Sequence, residues 1–130
     1  MSKCLFCYQE ITDKEYVNHE FHKSCSKKFF GKNKPPIIEY TLSEMLELAE
    51  KVIRSQRTVT GVQPKLSISS TKMTENSVVE RFTIVGLWGK YILKPQTERY
   101  EQLPEIEDLT MNLAELSKVK TVEHSLIRLK

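Results

Sequence analysis

The sequence predicts an α+β protein, and three features predict it: a start rich in cysteine and histidine, two segments of helical periodicity and a middle stretch of alternating apolar residues. The chain has 130 residues, of which 39% are hydrophobic and 28% charged, as in an ordinary folded domain. The expected order is a small zinc-binding knuckle, a helix, an antiparallel sheet of three or more strands and a second helix.

The N-terminal segment has the ligand spacing of a metal site. Cys4 and Cys7 are two residues apart, and His22 and Cys25 form a second pair with the same spacing. Two such pairs can complete a tetrahedron around Zn²⁺, which prefers thiolate and imidazole ligands. The spacing predicts a structural zinc in a domain over residues 1–30.

Alternatives stay open for this segment. The cysteines could remain reduced without a metal, and His19 could replace His22. His124 stands alone and is expected to be an ordinary surface or packing residue. Phe29 and Phe30 lie in a lysine-rich run, which is typical of a solvated face, although such runs also bind single-stranded nucleic acid. The lysines are Lys23, Lys27, Lys28, Lys32 and Lys34.

The next part of the chain is predicted to be a linker followed by a helix. Residues 31–40 contain a glycine and two prolines, which break regular structure. Thr41 and Glu44 then have the spacing of a capping box, and apolar residues at helical spacing follow them. This pattern predicts a helix from about 42 to 56.

A sheet is predicted after this helix because the apolar period shortens to two. Leu66 and Ile68 alternate with serines, and Phe82 and Ile84 alternate with polar residues. A third run ends near Leu93. We expect an antiparallel meander, with turns between the runs.

A second helix is predicted from about 104 to 117. One apolar face is formed by Ile106, Leu109, Leu113 and Leu116, and a different face contains Glu107, Met111 and Ala114. A helix that is apolar on two sides is expected to be covered on both, so one of these faces could be awaiting a missing domain. The residues from 121 to 129 have the pattern of a further strand.

Three segments carry a resemblance to a known family. They are Thr58–Ser67 with its GVQPKLS motif, Tyr91–Pro95 with its ILKP motif, and Ile106–Leu109. Together they resemble the nucleotide-binding part of HipA-like serine/threonine kinases, the toxins of bacterial toxin–antitoxin modules. The resemblance covers about residues 38–130 and implies a domain over 41–130 similar to a truncated kinase N-lobe.

The resemblance implies roles for particular residues. The loop over the ATP phosphates would contain Gly61, Val62, Gln63, Lys65 and Ser67. Lys94 would hold the α- and β-phosphates, and Glu107 would pair with Lys94. Thr58 occupies the place of a regulatory serine that family members autophosphorylate, so it could accept a phosphate.

The residues that perform phosphoryl transfer are not predicted in this chain. A kinase needs an aspartate that orients the acceptor hydroxyl and an aspartate and an asparagine that hold Mg²⁺. The chain has two aspartates, Asp13 and Asp108, and neither follows the cradle in the order of the family. We therefore expect a domain truncated at Lys130, with weak binding of ATP and Mg²⁺ and no catalytic residue.

The partners that the resemblance implies are a missing kinase lobe in trans, a helix-turn-helix antitoxin and a separate N-terminal subdomain protein. A protein substrate such as an aminoacyl-tRNA synthetase is implied only for the intact kinase. The alternative is a non-catalytic zinc-knuckle module for protein interaction or regulation, or for nucleic-acid binding. No apolar run reaches membrane length, so we expect a cytoplasmic protein without a membrane partner.

Overall fold

The structure is a computed structural model that describes residues 2–55, 66–72, 80–84, 89–97 and 99–130. Over these ranges it has the predicted α+β fold. The elements in chain order are α1 (Lys23–Phe30), α2 (Leu42–Ser55), β1 (Leu66–Lys72), β2 (Glu80–Ile84), β3 (Tyr91–Leu93) and α3 (Leu103–Leu116). Among the described residues, no helix is long and apolar enough to cross a membrane.

The chain divides into two compact units, and the first combines Met1–Pro36 with Glu105–Ile127. Its aromatic core contains Phe21, which is buried and packs edge-on against Phe30 with the ring centroids 5.3 Å apart. The predicted division into a domain over 1–30, a linker over 31–40 and a domain over 41–130 stays a prediction. Residues 105–127 share the first unit because polar side chains of α3 and the segment after it contact the N-terminal turn.

Helix α1 was not predicted. It begins after His22, its N-cap, and ends at Gly31, whose φ of 72° is left-handed and whose N–H donates to the Lys27 carbonyl. Glycine is the usual residue at this C-terminal position because it adopts positive φ without steric cost. The glycine that indicated a linker is therefore also the end of a helix.

The second unit contains Ile37–Pro104 and Arg128–Lys130, with the three-stranded antiparallel sheet at its centre. The strand order is β2-β1-β3, so the predicted meander is wrong in its connectivity although the strands were found. The central strand is β1, which carries the buried Leu66 and Ile68. Phe82 on β2 and Tyr91 on β3 meet with their ring centroids 5.4 Å apart. A central β1 lets these apolar groups share one core.

The predicted linker over 31–40 is not wholly irregular. Ile37 forms a parallel bridge with Arg81, and its N–H donates to the Glu80 carbonyl at 2.9 Å. The Phe82 N–H donates in turn to the Ile37 carbonyl at 2.8 Å, and the neighbouring Ile38 is buried. The segment therefore joins the edge of β2.

Helix α2 confirms the predicted capping box. The Thr41 N–H donates to Glu44 Oε2 at 2.7 Å, and the Glu44 N–H donates to Thr41 Oγ1 at 3.3 Å. These hydrogen bonds lower the pKa of Glu44. Met45 and Ala49 are buried, so the predicted apolar face of the helix does face a core.

Helix α3 lies where it was predicted, and one of its two predicted apolar faces is exposed in the part of the chain that the structure describes. The side chains of Ile106, Leu109, Leu113 and Leu116 are exposed, whereas Asp108 is buried. The segment after it, Thr121–Lys130, has no strand, so the predicted strand there is wrong. A strand needs a ladder partner, and the three described strands pair only with one another and with Ile37.

The capping box gives a first prediction. Replacement of Thr41 by alanine removes the side-chain acceptor for the Glu44 N–H and should cost about 1 kcal/mol of helix stability. Thr41→Ser keeps the hydroxyl and is the matched control. Amide hydrogen exchange in α2 measures the change, and equal protection in the alanine and serine variants would contradict the assignment.

Candidate metal centre and candidate nucleotide site

Four potential metal ligands lie together in the first unit, as predicted. One ligand atom from each of Cys4, Cys7, His22 and Cys25 lies within 4.8 Å of the others. The Nδ1 atom of His22 is 3.3 Å from Cys7 Sγ and 3.8 Å from Cys25 Sγ. A tetrahedral zinc site has ligand–ligand edges of about 3.4–3.8 Å, given its usual bond lengths. The cluster can hold a metal ion and is consistent with zinc.

Local structure explains how the four side chains converge. The Cys4–Cys7 turn is closed by the Tyr8 N–H, which donates to the Cys4 carbonyl at 2.9 Å, and Tyr8 has a left-handed φ of 60°. His22 is the N-cap of α1, and Cys25 lies in its first turn. A tight turn and the start of a helix thus present one pair of ligands each.

Of the two candidate histidines, His22 lies in the cluster and His19 does not. The Nε2 atom of His22 lies 3.1 Å from the Glu10 carbonyl, to which Nε2–H can donate, leaving Nδ1 free to bind a cation. Histidine ligands in metal sites are usually oriented in this way by a second hydrogen bond. The His19 ring lies instead edge-on to Tyr16, with the centroids 6.0 Å apart, and is not a member of the cluster.

Neighbouring cysteines shift the pKa values of Cys4 and Cys25. Burial raises the pKa of Cys4, but hydrogen bonds from the backbone of Cys7, His22 and Phe6 outweigh burial and lower this pKa to about 7. Burial and the neighbouring Cys7 and Cys4 raise the pKa of Cys25 to about 12. A second thiolate beside that of Cys4 is disfavoured by repulsion between like charges, and a divalent cation between the sulfur atoms would remove that repulsion.

A buried polar network joins the metal-ligand turn to α3. Asp108 is 6% exposed and accepts hydrogen bonds from the Tyr8 hydroxyl and from Asn112 Nδ2, the latter at 3.1 Å. Nδ1 of His124 lies 2.7 Å from Asp108 Oδ1, and Nε2 of the same ring lies 3.4 Å from Glu115 Oε1. Burial and the Asp108 carboxylate raise the pKa of Tyr8. Three side chains, Tyr8, Asn112 and His124, therefore contact the one buried carboxylate.

This network could not be predicted from the sequence. His124 is expected from the sequence to be an ordinary surface or packing residue, and no contact is predicted for Tyr8 or Asp108. Tyr8 and Asp108 are 100 residues apart in sequence, so no local spacing could indicate their contact.

The lysine-rich run lies on and after α1. Lys23, Lys27 and Lys28 are exposed on this helix. Lys28 Nζ lies 5.3 Å from the centroid of the Phe6 ring, and the Phe6 and Phe29 centroids are 5.7 Å apart. The aromatic residues are half-buried, so the arrangement is that of a solvated basic face with aromatic rings packed beneath it.

Most of the predicted phosphate loop lies outside the described residues, including Gly61, Val62, Gln63, Lys65 and the predicted phosphate acceptor Thr58. Ser67 is described and lies on β1, where its Oγ accepts a hydrogen bond from the Gly89 N–H at 2.6 Å. A Cβ on Gly89 would lie 2.6 Å from the Ile68 nitrogen and 2.7 Å from its oxygen. Only glycine permits so close an approach to β1.

Lys94 and Glu107 belong to different units. Lys94 directly follows β3 and is half-buried, and Glu107 lies half-buried in the first part of α3. Their predicted pairing stays a prediction. In the sheet itself, Leu66 of β1 pairs with Leu93 of β3, and Ser67 pairs with Ile92.

Comparisons with known proteins do not identify the chain. No family model matches it, and no curated protein matches it significantly.

The metal centre predicts one zinc ion per chain. Protein purified without added metal should contain close to one equivalent of zinc, and Cys4→Ser or Cys25→Ser should lose most of it because a three-ligand site binds weakly. His19→Ala is the matched control and should keep the metal. Elemental analysis measures the content, and zinc that is absent from wild-type protein or unaffected by the two serine variants would refute the site.

The buried network predicts that Asp108 stabilises the first unit. Asp108→Ala leaves Tyr8, Asn112 and His124 without their shared acceptor and should cost about 3–5 kcal/mol in the local stability of α3. Glu123→Ala removes an exposed carboxylate from the same unit and should change stability by about 0.5 kcal/mol or less. Hydrogen exchange of α3 amides measures both, and similar protection in the two variants would contradict the network's role.

Proposed function

We propose that this chain is the nucleotide-binding portion of a HipA-like serine/threonine kinase of a toxin–antitoxin system. The motifs GVQPKLS and ILKP are the basis of the proposal, and the register of the sheet is the observation that supports it best. Leu66 pairs with Leu93. The Gly61–Lys65 segment comes directly before Leu66, and Lys94 comes directly after Leu93. Antiparallel partners share one end of a sheet, as a phosphate loop and its lysine must.

The close contact of Gly89 with β1 also supports this proposal. The Gly89 N–H is bound by Ser67, and the Lys90 N–H donates to Ser69 Oγ at 3.2 Å. These two hydrogen bonds fix the segment before β3 against β1. The register between β1 and β3, the strand that Lys94 directly follows, is therefore fixed by side chains as well as by the backbone hydrogen bonds of the sheet.

The chain would bind nucleotide without transferring phosphate. Asp108 is buried and already accepts hydrogen bonds from Tyr8 and Asn112, so its carboxylate is not available to Mg²⁺. Asp13 accepts the Glu15 N–H at 3.0 Å within the N-terminal segment. Under this proposal a catalytic lobe supplied in trans would provide the Mg²⁺ ligands and would engage an antitoxin or a protein substrate such as an aminoacyl-tRNA synthetase.

A second candidate is a metal-stabilised interaction or regulatory module without nucleotide binding. The convergence of Cys4, Cys7, His22 and Cys25 favours it, because a closed set of four protein ligands suits a structural ion. The same zinc would be present under both proposals. Nucleotide binding distinguishes them.

The nucleotide proposal predicts weak binding of ATP with Mg²⁺, with a dissociation constant on the order of a millimolar. Lys94→Ala should remove most of this binding because the lysine neutralises phosphate charge. Lys72→Ala is the matched control, since Lys72 is exposed at the opposite end of β1 from Leu66. NMR titration of amides in β1, β3 and residues 61–65 measures the affinity.

The same titration separates the candidates. Shifts that map to β1 and β3 and disappear in Lys94→Ala support the kinase portion. Shifts confined to Lys23–Lys34 would indicate non-specific attraction of phosphate to a basic face. That result, or the absence of shifts, would leave the metal-stabilised module as the function.

A further inference from the structure

The exposed side of α3 carries a continuous apolar surface. We name this surface the apolar stripe. Its four members are Ile106 (56% exposed), Leu109 (57%), Leu113 (55%) and Leu116 (81%). Val119 and Val122 extend it beyond the helix with exposures of 58% and 74%. The buried side of the same helix holds Asp108 and Asn112. Surface helices normally have the reverse arrangement, and an exposed apolar surface of this kind marks a binding site.

The spacing of the stripe matches one kind of partner. Its members recur at intervals of three, four and three residues, which is the a and d pattern of a coiled-coil seam. Helix α3 has 14 residues, or two heptads. A helix with the same spacing is the partner that such a seam packs against best, by insertion of each side chain between those of the facing helix.

The stripe is complementary to itself in the antiparallel direction. If two copies of α3 cross at Met111, Ile106 lies opposite Leu116 of the second copy and Leu109 lies opposite Leu113. Both contacts occur twice, because a two-fold axis relates the copies. Every member of the stripe then has an apolar neighbour.

The charges at the two ends of α3 also favour an antiparallel pair of helices. Glu105 is exposed in the first turn, and Lys118 is exposed directly after the last. An antiparallel pair brings each Glu105 near Lys118 of the second copy, whereas a parallel pair brings like charges together. The helix dipoles also oppose each other favourably. Glu115 lies to the side of the stripe, where Thr121 and His124 hold its carboxylate.

We propose that the apolar stripe is the interface of a symmetric, antiparallel dimer of this chain. The interface goes beyond the proposed function, since it uses residues of α3 that have no role in nucleotide binding. Its partner is a second copy of the chain rather than a lipid surface or an unrelated protein.

Sedimentation of the full chain over a range of concentrations tests the dimer. Wild-type protein should show a reversible monomer–dimer equilibrium, and Leu113→Glu should raise the dissociation constant at least about tenfold because it buries a carboxylate in the seam. Ile92→Glu is the matched control, since Ile92 is 70% exposed on β3 and lies outside the stripe. Circular dichroism and zinc content check that each variant is folded.

Reversal of the charges at the two helix ends tests the antiparallel arrangement. Glu105→Lys and Lys118→Glu should each raise the dissociation constant about three- to tenfold, and the double variant should restore it. A wild-type monomer at millimolar concentration, association beyond the dimer, or a dimer that survives Leu113→Glu would overturn the proposal. Single exchanges without effect would overturn the antiparallel arrangement.

Discussion

The first unit is organised around the convergence of four potential metal ligands. Its N-terminal segment is too short to build a large apolar core, and segments of this size usually need a metal or a disulfide to fold. All three cysteines are free, so no disulfide takes this part. A metal ion held by Cys4 and Cys7 on a turn and by His22 and Cys25 at the start of α1 would fix the two halves of the segment to each other.

Tyr8 links the metal-ligand turn to α3. This residue directly follows Cys7, and its hydroxyl donates a hydrogen bond to Asp108. Ser125 Oγ lies 3.3 Å from the Leu5 carbonyl, so the segment after α3 also contacts the ligand turn. The polar side of α3 therefore makes contacts inside the unit. The apolar side of the helix is exposed at the surface.

The features that could be predicted from the sequence are those set by short-range spacing. The metal ligands follow from two pairs at two-residue intervals, and α2 follows from the Thr41–Glu44 box and its apolar face. The strands follow from alternation, but their order does not, because the pairing of β1 with β3 depends on packing across the sheet. The buried contacts of α3 could not be predicted for the same reason: the partners of Asp108 include Tyr8 and His124, which periodicity within the helix cannot indicate.

The central claim is a closed structural metal site, and X-ray absorption at the zinc edge tests it most directly. For zinc bound to Cys4, Cys7, His22 and Cys25, the spectrum should fit three sulfur neighbours at about 2.3 Å and one nitrogen at about 2.0 Å. This shell leaves no position for water. A shell dominated by oxygen, or one with fewer than four protein ligands, would contradict the account.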